Sequence, residues 1–233
     1  MTDKRIPTVP APEHPMIQQS MDDSFVVLRD GDTFDVKLQY WDKKKNHAVS
    51  TCYVRRSVYQ RLVQAQQYLP EGYRLRVWDG WRPLALQEEL YAEYSAFITE
   101  RFELQNQSEQ ERDRIIRQFI SYPSRDRMAA PAHTTGGAVD VTLIDACGRE
   151  LPMGTDFDNF TEMAHTDYYE TEGADEVIRR NRRILYHCMT KAGFTNLPSE
   201  WWHYDYGDLF WAYYNNTGVA YQGVFTNEEV YAE

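Results

Sequence analysis

Long apolar runs are missing from the 233-residue sequence. The longest, such as Leu209–Tyr214, cover only a few residues, whereas a membrane-spanning helix needs about 20. Basic charge is scarce as well: 25 Lys and Arg stand against 36 Asp and Glu, a formal net charge of −11. Phosphate contacts supply most nucleic-acid affinity, so this balance argues against a nucleic-acid partner and against an anionic membrane. Cysteine is limited to Cys52, Cys147 and Cys188, odd in number, far apart and without a Cys-x-x-Cys pair. That argues against a disulfide framework or a cysteine zinc site and reads as buried or half-buried free thiols. There is no HExxH motif, internal repeat, low-complexity stretch or linker composition, so one domain over residues 1–233 is expected, its oligomeric state left open. The N-terminus MTDKRIPTVPAPEHP carries charges and prolines but no apolar segment of a secretory signal, so a cytoplasmic protein is expected.

What is present suits a globular core. Apolar residues make up 42%, and 17 Tyr and 6 Trp point to aromatic walls around a core or cleft. Residues 1–20, with four prolines, read as an irregular arm. Alternation predicts short strands over Phe25–Leu28 and Phe34–Trp41, and further strands at Tyr73–Trp78 and Trp201–Tyr206, while β-branched composition predicts one at Ala138–Ile144. Lys43-Lys44-Lys45 reads as a solvated turn. Helical spacing predicts helices over Arg56–Leu69, from Pro83 to about Leu104, from a Ser108–Glu111 capping box through Ile120, and over Glu176–Ala192 before Gly193. Strands and helices mix without regular βαβ alternation. The expected class is therefore α+β, with a central, largely antiparallel sheet flanked by helices.

Among six histidines, His14 and His47 sit in polar segments, and His187 reads as a packed or surface position on a helix. His133 and His203 differ. In AHTTGGAVDVT, a Gly136-Gly137 turn can fold the chain back so that His133 meets Asp140 on the following strand. The alternative is a capping histidine and a turn-bonded aspartate. In EWWHY, Glu200 and His203 would face opposite sides of a regular strand, so a turn or bulge before His203 is needed to unite them. The alternative there is a buried aromatic strand with a hydrogen-bonded glutamate. Together, His133, Asp140 and His203 suit one zinc ion with an open fourth position, where a bound water's pKa falls to about 7. Glu200, outside the ligand set, can move that water's proton. Arg82, in WDGWRP, can hold a polarised carbonyl oxygen; an Arg82–Asp79 surface pair is the competing reading.

DGWRP, HTTGGAVDVTL, MGTDFD, NRRILYHCMTKAGF and EWWHY occur in this order. Over about residues 25–206 the chain resembles the D-alanyl-D-alanine dipeptidases, within the wider zinc-peptidase group that includes DD-carboxypeptidases and the hedgehog domain. The resemblance implies the hedgehog/DD-peptidase-like fold and zinc on His133, Asp140 and His203. It also implies Glu200 as general base and then acid, Arg82 as transition-state stabiliser, and Asp158 as partner of the substrate's amino group. Two departures bear on substrate choice. Pro131 stands where the family commonly has Ser, and Leu38 or Tyr40 stands near the place of a family tyrosine that helps hold the substrate amine.

The expectation is a zinc-dependent dipeptidase acting on D-Ala-D-Ala or a close relative, its partner a small dipeptide. Its rivals are a zinc carboxypeptidase or endopeptidase of peptidoglycan peptides, and a non-catalytic zinc-stabilised binding domain.

Overall fold

A computed structural model describes residues 2–9, 17, 19–31 and 33–231. Its elements run in the order β1 (Gln19–Met21), β2 (Phe25–Leu28), β3 (Asp35–Val36), α1 (Gln39–Asp42), β4 (Cys52–Arg55), α2 (Arg56–Gln67), β5 (Arg74–Asp79), α3 (Leu84–Arg101), α4 (Glu109–Ile116), β6 (Ala138–Ile144), α5 (Glu176–Lys191), β7 (Thr195–Asn196), β8 (His203–Asp205), α6 (Leu209–Tyr214), β9 (Val219–Tyr221) and α7 (Asn227–Tyr231). The central sheet has the order β3-β5-β6-β8-β7; only β3 and β5 pair in parallel. β2 and β4 form an antiparallel ribbon, and β1 pairs in parallel with β9. The α+β class with a largely antiparallel, helix-flanked sheet is what forms.

Alternation along the strands divides the sheet's two faces. Val139, Val141 and Leu143 of β6 join Leu75, Val77 and Tyr204 in one apolar cluster. That cluster also takes in Val58, Leu62 and Ala65 of α2 and Ile184, Leu185, Cys188 and Met189 of α5. Each such aliphatic side chain contributes about 1.5–3 kcal/mol on burial. The intervening positions, Asp140 on β6 and His203 and Asp205 on β8, therefore face the other way. They too are buried, and they line one cavity with residues of the segment joining β6 to α5.

That segment is fastened from α5. Arg182, fully buried, donates to the carbonyls of Met153 (2.8 Å), Met163 (2.7 Å) and His165 (2.6 Å). Asn181 donates to Pro152 O (2.9 Å), and Trp201 Nε1 to Thr155 Oγ1 (2.7 Å). Burial lowers the Arg182 pKa to about 10, so the guanidinium stays charged at neutral pH.

Several expected boundaries move. Phe34–Trp41 is not one strand: after Val36 the chain turns into α1, closed by Asp42 N–H to Leu38 O (3.0 Å) and Lys43 N–H to Gln39 O (2.9 Å). The helix from Pro83 ends at Arg101, and Glu103 takes a left-handed φ of 54°. Ser108 caps α4 as expected, yet α4 stops at Ile116 because Gln118 and Phe119 bond three residues back. Trp201 and Trp202 lie in a turn ahead of β8. The arm is irregular over residues 2–9, but Gln19 and Ser20 already pair with Val219 and Ala220. His14 lies outside the described residues. Cys52 and Cys188 are buried free thiols, whereas Cys147 is exposed in a turn. His187 is buried on α5, its Nε2 2.7 Å from Lys4 O. The lysine run is not merely solvated: Lys45 pairs with Glu93 and Lys43 with Asp158.

Candidate metal centre

Sheet register brings distant residues into one row. Asp140 on β6 is the direct partner of His203 on β8, and on its other side it pairs with Asp79 on β5. Directly opposed residues have Cβ atoms about 5 Å apart. A register shift between Val77 and Asp79 re-aims Asp79 toward this row, as bulges do.

His133 arrives from a 3-10 turn, Ala132–Thr135, immediately before β6. Gly136 ends that turn at φ 76°, and a Cβ there would lie 2.3 Å from the Phe25 ring, so only glycine fits. His133 Nδ1 donates to Gly80 O at 2.8 Å. Its Nε2 then faces His203 Nδ1 at 3.1 Å and Asp140 Oδ2 at 3.3 Å. His203 Nε2 donates to Asp205 Oδ1 at 2.8 Å, leaving Nδ1 3.1 Å from Asp140 Oδ1.

With both outer ring nitrogens committed as donors, the inner nitrogens and the carboxylate present lone pairs to one another. Three such atoms within 4.8 Å repel unless a cation or a proton lies among them. Burial opposes charge on His203, but Asp205 and Asp140 overrule it and raise its pKa well above the usual value. Burial likewise opposes charge on Asp140, but His133 and His203 hold it well below the carboxylate range. The donor set fits zinc: two imidazoles and a carboxylate, each imidazole oriented by an outer acceptor.

Glu200 reaches the cluster through the turn that strand geometry required. Its N–H bonds Leu197 O (3.0 Å), its carbonyl accepts from His203 N–H (3.3 Å), and its Oε2 lies 4.0 Å from His203 Nδ1. Burial pushes the Glu200 carboxyl up to about 8, with His203 pulling the other way and Asp140 and Asp158 adding to the rise.

Arg82 does pair with Asp79, at 2.7 and 3.0 Å, but the pair is buried rather than on the surface. Arg82 Nη1 donates to Gln87 Oε1 (2.7 Å), its guanidinium lies 4.8 Å from the Tyr40 ring centre, and Nη2 sits 3.8 Å from Asp140 Oδ2. The arginine is thus fixed beside the cluster.

Asp158 stands in the β6–α5 segment at φ 60°, a left-handed conformation that aspartate tolerates better than most residues. Tyr40 OH donates to Oδ1 (3.1 Å), and Tyr94 OH to Oδ2 (2.8 Å). Of the two residues near the family tyrosine's place, Tyr40 reaches Asp158, whereas Leu38 packs against the apolar core. Pro131 lines the same cavity and offers no hydroxyl.

All six candidate residues line one cavity of about 890 Å³, walled by aromatics including Phe119, Phe160, Trp202 and Phe210. Asp205, Gln87, Tyr94 and Lys43 join the site without having been expected there. Asp205 was within reach of sequence reasoning, since residues two apart on a strand share a face. Gln87 and Tyr94, seven apart on α3, likewise share a helix face. Lys43 carried no signal in a run of like charges.

The sequence model of a family described as D-ala-D-ala dipeptidase, Peptidase M15, matches residues 35–223. A D-alanyl-D-alanine dipeptidase of Synechocystis sp. is 31% identical over 179 residues, 70% of this chain and 72% of that protein. One from Enterococcus faecium is 28% identical over 191 residues, 75% of this chain and 85% of that protein. One from Escherichia coli is 40% identical over 73 residues, 31% of this chain and 36% of that protein.

Proposed function

The chain belongs to the D-ala-D-ala dipeptidase family of peptidases, and from that premise we propose that it hydrolyses the peptide bond of D-Ala-D-Ala, or of a closely similar dipeptide, with zinc. The observation that carries this reading is the convergence of His133 Nε2, Asp140 and His203 Nδ1 with Glu200 and Arg82 at one place in one cavity.

His133, Asp140 and His203 would hold the ion, which when bound supplies Lewis-acid polarisation and an acidified water. Gly80 O and Asp205 keep the two rings in the orientation and tautomer the ion needs. Glu200 holds the proton it takes from water and returns it to the leaving amine. A carboxyl lifted toward neutrality by burial suits both transfers, and a cation nearby favours its ionised form. Arg82, locked by Asp79 and Gln87, meets the carbonyl oxygen as negative charge builds there. Such a donor contributes about 3 kcal/mol to the transition state. Asp158 receives the substrate's ammonium, which fixes the scissile bond relative to Arg82 and Glu200.

The test is a panel of D,D, L,D and L,L dipeptides plus a pentapeptide ending in D-Ala-D-Ala, with metal content measured on the same sample. The pentapeptide belongs in it because a cavity of about 890 Å³ has room beyond a dipeptide. Cleavage of D-Ala-D-Ala with about one zinc per chain supports the reading. Cleavage of the pentapeptide alone makes the protein a carboxypeptidase, and no cleavage of any peptide by the zinc-loaded chain makes it a binding domain.

A further inference from the structure

The carboxylate assigned to the substrate's ammonium already has a cation on it. Lys43 Nζ lies 3.2 Å from Asp158 Oδ2, over the rings of Phe157 (4.9 Å) and Tyr40 (5.6 Å). Oδ2 also accepts from Tyr94 OH, while Oδ1 accepts from Tyr40 OH. The two neutral hydroxyls therefore hold the carboxylate by both oxygens, and Lys43 adds charge rather than orientation. Of the neighbouring lysines, Lys45 pairs with Glu93 and Lys44 is exposed.

Lys43 also comes from a different side. Asp158 lines the cavity of the metal cluster, whereas Lys43 lines a second cavity of about 650 Å³ with Gln39, Trp78, Glu150 and Phe157. A substrate ammonium can thus approach Asp158 without touching Lys43, yet it meets a carboxylate whose charge is already balanced. Two ammonium groups on one carboxylate repel, and the second binds less tightly than the first would alone.

We propose that Lys43 sets how strongly this site distinguishes free from blocked amino termini: it balances Asp158 from the second cavity and so weakens binding of the substrate's ammonium. This rests on the dipeptidase reading and adds a specificity residue to it. The Lys43 side chain is 40% exposed, so solvent screens the effect to a modest size. The contact is remote from the scissile bond and equal in ground and transition states, so it acts on KM and not on kcat.

Lys43→Met keeps the apolar stem against the two rings. With D-Ala-D-Ala its KM should fall about fivefold at unchanged kcat, the size expected for one partly exposed ion pair. With N-acetyl-D-Ala-D-Ala, KM, or Ki where the compound binds uncleaved, should not move. Lys43→Arg should restore the wild-type KM. An unchanged or raised KM in Lys43→Met, or an equal fall for the acetylated compound, overturns the role of Lys43. Failure of the wild-type protein to cleave D-Ala-D-Ala overturns the dipeptidase reading, and this proposal with it.

Discussion

The cavity's two ends rest on different supports. At one end Asp79, Asp140 and His203 stand side by side on three neighbouring strands, and their spacing is set by backbone hydrogen bonds of the sheet. At the other, Asp158 rides a segment without strands, fastened by Arg182 from α5 and gripped by Tyr40 and Tyr94 from two helices. Ladder register admits no small adjustment, because a slip of one residue turns each side chain to the opposite face. A loop held by side chains can shift and can exchange partners. Chemistry that needs ligand atoms within a few tenths of an ångström sits on the first support. Recognition, where Lys43 pairs with Asp158 through side chains alone, sits on the second.

The contrast predicts that damage at the strand end removes the metal or the rate, while damage at the loop end changes affinity. The largest effect belongs to His203→Ala, which should lose stoichiometric zinc and all measurable hydrolysis. Retention of one zinc per chain by metal analysis would dismiss His203 as a ligand. Next is Glu200→Gln, which should keep the metal while kcat falls by about 10²-fold or more. Turnover close to wild type would move the proton-transfer role to another residue. The smallest is Asp158→Asn, which should raise KM for D-Ala-D-Ala about tenfold, as expected for loss of one charge-assisted hydrogen bond, with kcat within about twofold. A kcat loss as deep as that of Glu200→Gln would erase the distinction between the two ends.

How far the sequence could be read follows the same division. AVDVTLI is rich in β-branched residues, so β6 and the place of Asp140 on it were legible from seven residues, whereas the face Asp140 takes was not. EWWHY posed a geometric problem, Glu200 and His203 on opposite faces, whose solution by a turn could be named in advance and is what forms. Arg82 and Asp79 were legible as a pair, but their burial was not. Nothing in WDGWRP says that α3 and the β6–α5 segment will close over it. Phe34–Trp41 misled because Tyr40 is apolar by composition, yet it turns inward from a single helical turn to bond Asp158, 118 residues away.

From the sequence alone came the residue types, the strand and helix periods, and the order of motifs that marks the family. These are local or statistical properties, carried by side-chain chemistry within a few positions. Tertiary structure alone decided that three strands align Asp79, Asp140 and His203 in one row, that Asp205 orients His203, and that Lys43 balances Asp158 from a second cavity. Apart from Asp205 and His203, two positions apart on β8, those contacts join residues far apart along the chain, and all their energies depend on distance and burial, which exist only once the chain has folded.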